Sequence, residues 1–375
     1  MKKNILHISK YYFPTEGGIE VVAKYLAEGL CDYNNTVVCF STEKNNSVEV
    51  MDGVQVYRIA TQCKIASQSI SFGYYSKLKD IIKKTQPDVI HLHCPNPFLY
   101  PIVSALAPKN CKIVLLWHSD ILMKGLLYNL VKPLETKILK KADAIYVTSP
   151  NYVHESSPIY EFRNKVKVLP NGIISHDFVL SNEDRDKIRS IKETYNNRKL
   201  VFFVGRHALY KGLSKLLEAE QYIQSDCYIL IAGRGEQTEY LKSVSKSNRV
   251  KFLGRISENE LRCYYYASDV FAFPSITKQE AFGVALAEAM YCGCVPVTFH
   301  IDGSGVNWVS LKDITGEEVE LGDVKAYANA VDRLLSDDDR YSRFQECGRQ
   351  RISENFTDEI VIKKAKLLFD DVLKS

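Results

Sequence analysis

Glu280 and Glu288 stand eight positions apart in Glu280-Ala-Phe-Gly-Val-Ala-Leu-Ala-Glu288, with Phe282-Gly283-Val284 between them. The apolar spacing predicts a helix that starts at these small residues. The first carboxylate then falls just before the helix and the second two turns inside it. Residues at this spacing lie near one another on a helix surface, so both side chains can serve one cleft. The first backbone N–H groups of a helix have no internal acceptor and carry the positive end of the dipole. Such a start can hold a diphosphate while flanking carboxylates accept hydrogen bonds from sugar hydroxyls. The competing reading is capping and solvated charge.

Two cations share one short connection. The apolar run Leu200–Val204 leads into Gly205-Arg206-His207-Ala-Leu-Tyr-Lys211-Gly212. Glycine at a strand end allows a sharp turn and close approach to a ligand. Arg206 offers a planar fork for phosphate oxygens and Lys211 a mobile point charge. The next strand candidate ends in Gly233-Arg-Gly235, a motif that also suits any tight turn. In the first half, Pro14-Thr-Glu-Gly17-Gly18-Ile19-Glu20 joins a strand to a helix, and its two glycines make a second phosphate-compatible start. The spacing is not Gly-x-Gly-x-x-Gly, so a dinucleotide signature is absent. His118 follows the apolar run Ile113–Trp117, a position suited to a cleft. His91 and His93 bracket Leu92 and read as structural or cleft-lining, with no third ligand at metal spacing.

The elements that must position these residues are short β-rich runs alternating with helical patterns, the mark of parallel α/β units. The first-half strand candidates are Ile5–Ile8, Thr36–Phe40, Val89–His93, Ile113–Trp117 and Ala144–Thr148. Ile19, Val22, Ala23, Leu26, Ala27 and Leu30 form one face of an intervening helix. The pattern resets between about residues 172 and 198, after Leu169-Pro-Asn-Gly-Ile173. A second series follows at Leu200–Val204, Tyr228–Ala232, Val250–Leu253, Val270–Phe273 and Val295–Thr298. The expected division is residues 1–175, 176–355, and a helix over 356–375 that packs back on the first domain. Each half reads as a doubly wound sheet, whose ligands bind beyond the carboxyl ends of the strands.

At 375 residues the chain is too long for one core and suits two domains. The ten cysteines have no framework spacing, and Cys292-Gly-Cys294 reads as buried small residues rather than a metal or redox pair. That usage suits a reducing, cytoplasmic compartment. The start reads as a buried strand rather than a signal peptide, and no run reaches the ~18–20 apolar residues of a membrane span. A net charge of +4, with no basic tail or finger spacing, argues against nucleic acid as a partner. Within Ile121–Lys141, Lys124, Lys132, Lys137, Lys140 and Lys141 stand against Glu135 alone, opposite a leucine-rich side. The stretch is either an ordinary helix covering a sheet or a peripheral contact with an anionic membrane.

Gly-Gly-Ile-Glu after the first strand, Pro-Asn-Gly at the domain junction, Gly-Arg-x4-Lys-Gly and Glu-x7-Glu occur here in the order found in family 4 glycosyltransferases. The chain resembles that family from about residue 4 to 355. The resemblance implies a GT-B fold, two doubly wound Rossmann-like domains facing across a cleft. It implies a retaining hexosyl transfer from a UDP- or GDP-linked sugar to a saccharide or lipid-linked acceptor in surface polysaccharide synthesis. Position by position, Arg206 and Lys211 would bind the diphosphate, Glu280 the sugar hydroxyls beside the Phe282, Gly283 and Val284 amides, and Glu288 the ribose. Gly205 and Gly233 would pack beside the nucleotide, Gly17 and Gly18 against phosphate or acceptor. His118 would touch the donor sugar near the reacting carbon. No metal or other cofactor is implied. Two departures stand out: His207 replaces a commonly apolar residue, and Gly303-Ser-Gly-Val-Asn-Trp308 replaces an acidic loop. A nucleotide-sugar epimerase and a non-catalytic sugar-binding subunit are the competing readings.

Overall fold

The computed structural model describes residues 2–15, 17–65, 68–121, 126–154 and 157–374. Its contacts divide the chain into two units, Met1–Gly172 with Asp358–Ser375, and Ile173–Thr357.

The first unit is built on β1 (Asn4–Ile8), β2 (Asn34–Phe40), β3 (Ser47–Met51), β4 (Val54–Ile59), β7 (Val89–Cys94), β8 (Lys112–Trp117), β9 (Ala144–Val147) and β10 (Val166–Val168). They form one sheet in the order β10-β9-β8-β7-β1-β2-β4-β3, with β5 (Cys63–Ile65) and β6 (Gln68–Ile70) a separate hairpin. All pairings in the large sheet are parallel except β3 with β4. That edge hairpin turns at Asp52-Gly53, both at positive φ, 47° and 82°. A two-residue Asp-Gly turn between strands is a strong hairpin signal. The central strands are apolar because both faces are covered; β7 is buried at every position, its histidines included.

α1 (Gly18–Gly29) lays Ala23 and Ala27 on Val37, Cys39 and Val56 of the sheet. α2 (Tyr74–Thr85), α3 (Leu99–Leu106) and α4 (Leu126–Lys141) are the crossover helices, with α3 packed on α4. α4 buries Ile138 and Leu139 and exposes Leu130, Lys132, Lys137 and Lys140. Leu122–Gly125 of the basic stretch lie outside the described residues, as does Glu16 in the first glycine loop.

The second unit is a fully parallel sheet of β11 (Lys199–Val204), β12 (Cys227–Ala232), β13 (Val250–Gly254), β14 (Val270–Phe273), β15 (Val295–Phe299) and β16 (Glu317–Val319), in the order β13-β12-β11-β14-β15-β16. α5 (Asn182–Thr194) opens with a capping box in which the Ser181 hydroxyl and the Asp184 carboxylate each take the other's backbone N–H. α6 (Leu213–Glu220), α7 (Thr238–Val244) and α11 (Val324–Ser336) cover one face. α8 (Glu258–Ala267), α9 (Val284–Cys292) and α10 (Val306–Val309) cover the other. α12 (Asp338–Asn355) follows them. Cys292 and Cys294 are both 2% exposed, and the Cys294 thiol donates to the Tyr265 carbonyl at 2.9 Å, so this pair is packing.

The last helix, α13 (Asp358–Lys374), belongs to the first unit. Tyr33 donates to Asp370 at 2.6 Å and Tyr146 to the Leu368 carbonyl at 2.9 Å. Between them the Phe369 ring meets His91 at 5.1 Å and Tyr146 at 5.8 Å between centroids. Deleting a ring from such a site leaves a cavity. Phe369→Ala is expected to destabilise the first unit by about 3–5 kcal/mol, read by denaturant unfolding of the whole chain with a probe in each unit. Equal loss in both units would contradict the placement of α13.

Candidate active site

The carboxyl ends of β11, β12 and β14 carry the second unit's candidate residues. Two loops there are stitched together. Gly205, at φ 154°, donates its N–H to the Ala232 carbonyl at 3.2 Å. A side chain on Gly233, at φ 111°, would place its Cβ 1.9 Å from the Gly205 carbonyl oxygen. Contact between the two loops therefore demands the glycine at 233, and the positive φ favours the one at 205. His207 is 1% exposed and pins the same junction: its N–H meets the Arg234 carbonyl at 3.1 Å and its Nδ1 the Thr238 hydroxyl at 2.9 Å. Burial lowers its pKa. The histidine that departs from the expected apolar residue is thus a strut.

The chain then makes a 3-10 turn, Leu209–Lys211, and Gly212 at φ 64° starts α6. A Cβ at Gly212 would lie 2.0 Å from the Pro274 carbonyl oxygen. This close approach brings Lys211 to the end of β14, where its ammonium pairs with the Glu280 carboxylate. Both side chains are largely buried, at 11% and 12% exposure. The Lys211 ammonium also lies 5.2 Å from the centre of the Phe273 ring. Burial alone would lower the Lys211 pKa; the Glu280 charge beside it outweighs burial, and the pKa is raised. Glu280 accepts a second hydrogen bond from Ser275 at 3.2 Å.

Arg206 is placed differently. Its guanidinium is 70% exposed and meets Glu236 at 3.1 Å across solvent. Such a pair contributes about 0–1 kcal/mol, so Arg206 is free to turn to an anion. Lys211 is therefore the preorganised cation and Arg206 the adaptable one.

Glu280 and Glu288 do not share one helix, contrary to the expectation from their spacing. α9 begins at Val284, so Glu288 is one turn inside it and Glu280 lies in the preceding loop. Gly283 at φ 86° breaks the helical path between them. The two carboxylates are held by separate partners: Lys211 and Ser275 for Glu280, and the Tyr265 hydroxyl of α8 for Glu288 at 2.9 Å. Burial pushes the Glu288 carboxyl up to about 7, against the Tyr265 bond that favours its charge. Gly283 offers no capping side chain, which leaves the start of α9, with the Val284 amide, open to an external anion. The Phe282 ring packs edge-on against Trp308 at 6.4 Å and Phe356 at 5.5 Å, so only its backbone can serve a ligand.

Gly303–Trp308, the segment in place of an acidic loop, braces this turn. The Ser304 hydroxyl donates to the Glu280 carbonyl, and Gly305 N–H to the Ala281 carbonyl at 3.1 Å. Ser275, Ser304, Tyr265 and Glu236 were not singled out from sequence. They are ordinary residues whose importance lies in what they touch across the fold.

In the first unit, Gly17 precedes α1 in extended backbone, and Gly18 has open space where a side chain would project. The Glu20 carboxylate lies over Gly17, 2.3 Å from where a Cβ would stand. Burial raises its pKa. The expected phosphate-compatible start thus already has an acid lying over it. His118 follows β8 and is 5% exposed. Its N–H donates to the Cys94 carbonyl at 3.0 Å, and its Nε2 lies 3.1 Å from His93 Nδ1. Burial pushes its pKa down to about 3.

The reading of His91 and His93 without a third partner is also corrected. Register between β1 and β7 sets His7 opposite His91, and ligand-capable nitrogens of His7, His91 and His93 all lie within 4.8 Å of one another. Both His7 nitrogens are engaged, one by His91 and one by Asn35, each at 3.1 Å. A cross-strand neighbour cannot be read from one strand's spacing.

The family description "Glycosyltransferase Family 4" matches residues 16–175 and "Glycosyl transferases group 1" matches residues 184–351. The chain is 28% identical to the O-antigen chain mannosyltransferase C of Escherichia coli, over 99% of both chains. It is 29% identical to the D-rhamnosyltransferase WbpZ of Pseudomonas aeruginosa, over 87% of this chain and 85% of that one. Among solved structures, a sucrose-phosphate synthase from Thermosynechococcus elongatus superposes with a TM-score of 0.80 at 20% identity, covering 100% of both chains. Anabaena HepE in complex with UDP and glucose superposes at 0.77 with 16% identity, covering 98% of this chain and 100% of that one. The fold is GT-B, with two Rossmann-like halves.

The Glu288 environment makes a prediction independent of ligand. A carboxyl whose folded pKa is raised from about 4.5 to about 7 stabilises the fold fully below pH 4.5, and that contribution is lost as pH rises to 7. Wild type should lose stability relative to Glu288→Gln between pH 4.5 and pH 8, by on the order of 2–3 kcal/mol. Urea unfolding of both proteins at the two pH values measures it; a difference that does not change with pH contradicts the buried acid.

Proposed function

We propose that this chain, which belongs to the family 4 and group 1 glycosyltransferases, is a retaining hexosyltransferase that uses a UDP- or GDP-linked sugar. The observation that carries the reading is the Lys211–Glu280 pair beside the open start of α9. A cation for a leaving diphosphate and a carboxylate for sugar hydroxyls are buried in contact. The acceptor is a saccharide or lipid-linked saccharide of surface polysaccharide synthesis. The Escherichia coli mannosyltransferase and the Pseudomonas D-rhamnosyltransferase support this at the level of their names. D-Rhamnose is 6-deoxymannose, so these two relatives favour a manno-configured donor over glucose or galactose.

The chemistry follows from the residue types. As the bond from the anomeric carbon to the diphosphate breaks, charge grows on the phosphate oxygens. Lys211, Arg206 and the amides at the start of α9 meet that charge, which stabilises the transition state more than the ground state. Glu280 accepts hydrogen bonds from donor hydroxyls, Glu288 from the ribose, and His118 touches the donor sugar. The acceptor hydroxyl attacks on the face the diphosphate leaves, and a phosphate oxygen takes its proton. The first unit holds the acceptor and the second the nucleotide sugar. Lys132, Lys137 and Lys140 on α4, beside the exposed Leu130, would set the enzyme against an anionic membrane carrying a lipid-linked acceptor.

Nucleotide release from a panel of GDP- and UDP-sugars, with and without oligosaccharide acceptors, tests the reading. Acceptor-dependent release with retained anomeric configuration, seen by NMR of the first-formed glycoside, is the expected result. Isomerised donor without acceptor would indicate an epimerase instead. Lys211→Ala should lower turnover by ~10²-fold or more, as removal of one preorganised charge contact commonly does. Transfer should persist in excess chelator; loss restored by magnesium or manganese would reassign the leaving-group charge to a metal. Binding to anionic vesicles should weaken as salt rises, and indifference to vesicles at low salt would leave α4 purely structural.

A further inference from the structure

Gly-Arg recurs at the carboxyl ends of three neighbouring strands of the second unit: Gly205-Arg206 after β11, Gly233-Arg234 after β12 and Gly254-Arg255 at the end of β13. Each glycine has positive φ, at 154°, 111° and 73°. The strand ends are level, since Val204 stands opposite Ala232 and Ala232 opposite Gly254. Backbone bonds lock them together, from the Gly205 N–H to the Ala232 carbonyl at 3.2 Å and from the Gly233 N–H to the Gly254 carbonyl at 2.7 Å. Three guanidiniums therefore start from one rigid edge. Adjacent strands lie about 4.8 Å apart, so that edge is about 10 Å long from β11 to β13.

The three arginines are not equivalent. Arg206 has Glu236 beside it at 3.1 Å. Among the described residues no acid or other acceptor engages the Arg234 or Arg255 guanidinium, and both side chains are exposed. Arg234 is nonetheless placed. Its Nη2 and Nε lie 3.5 and 3.7 Å from where a Cβ on Gly254 would stand, so the guanidinium reaches across from β12 and rests over the end of β13. Cations on adjacent strand ends with no acid between them repel each other. A ligand edge rich in lone pairs offsets that repulsion.

On the reading given above, Lys211, Arg206 and the start of α9 hold the diphosphate and Glu288 the ribose. The Tyr265 hydroxyl that holds Glu288 belongs to α8, which follows β13 and packs on β11. A nucleoside bound to both runs from β14 toward β11, β12 and β13, away from β15 and β16, and its base meets Arg234. A guanidinium fork suits two adjacent acceptors. Guanine presents such a pair in O6 and N7, whereas adenine sets an amino donor beside N7. Uracil offers O4 between an N–H and a C–H.

We propose that Arg234 is a specificity residue that reads the O6 and N7 edge of guanine, so that the donor is a GDP-sugar rather than a UDP-sugar. This rests on the nucleotide-sugar reading and narrows it. Titration calorimetry of the full chain with GDP, UDP, ADP and 7-deaza-GDP, which keeps O6 and lacks N7, tests it without acceptor or turnover. Wild type is expected to bind GDP about 10- to 100-fold more tightly than UDP or ADP, and 7-deaza-GDP about 10-fold less tightly than GDP. Arg234→Lys keeps the charge and loses the fork; it should weaken GDP by about 10-fold and change UDP by less than about 2-fold. Arg206→Gln, at the diphosphate, should weaken all four alike. Three results would each overturn the proposal: UDP bound as tightly as GDP, 7-deaza-GDP bound as tightly as GDP, or a loss in Arg234→Lys shared equally by GDP and UDP. The last would make Arg234 a phosphate contact. These outcomes leave the nucleotide-sugar reading standing, whereas a chain that binds no nucleotide and transfers no sugar would sink that reading and this proposal with it.

Discussion

An ammonium and a carboxylate buried against each other at the end of β14 are the constraint on which the second unit depends. Neither charge would be tolerated there alone: removing one partner of a buried pair typically costs about 3–5 kcal/mol, because the other stays desolvated. Keeping them in contact requires three loops to converge. Gly212 lets the turn after β11 touch the Pro274 carbonyl, Gly283 redirects the chain between Glu280 and α9, and Ser304 ties the Glu280 backbone from the loop after β15. Each of these is a residue that tolerates a close approach or bridges a short gap. The six parallel strands exist, in this sense, to deliver three strand ends to one place.

Much of this was legible in the sequence, and for identifiable reasons. Strands that are buried on both faces read as apolar runs, and the second-half candidates fall within a residue or so of β11 to β15. Glycines flanked by cations announce a ligand loop. What the sequence hid was of three kinds. Glu280 and Glu288 looked like one helical face because a single glycine in the left-handed region is invisible to periodicity. His207 looked like an exception in a cationic loop, whereas its partners, Arg234 and Thr238, come from the next strand's loop. His7 and His91 are paired by sheet register, which is set by the whole fold and by neither strand's own pattern.

Both units bury polar groups, and the second holds a charged pair as well as an acid, Glu288, that burial pushes up to about 7. In the second, opposite charges are buried together, and the Glu280 charge raises the Lys211 pKa against the effect of burial. In the first, burial discharges the groups: four imidazoles are neutral, and Glu135, which accepts from Tyr128 at 2.9 Å, is pushed up to about 7. Neutral groups in a low-dielectric core interact through hydrogen-bond direction rather than charge. Burial raises the pKa of the Glu20 acid over Gly17 as well.

On the proposed chemistry, the Lys211–Glu280 contact has a further consequence. A bound diphosphate brings a stronger partner for Lys211 than one carboxylate, since it presents several oxygens and more charge. Once Lys211 turns toward it, Glu280 is left with Ser275 and an unmet demand for donors. Sugar hydroxyls supply those donors. The carboxylate is therefore most in need of the sugar when the diphosphate is in place, so the two halves of the donor are bound cooperatively although they touch different residues. A free nucleoside diphosphate would pay for parting the pair without the hydroxyls that re-satisfy Glu280. The same pair that keeps the empty site stable then favours the intact donor over its product, which assists product release after transfer.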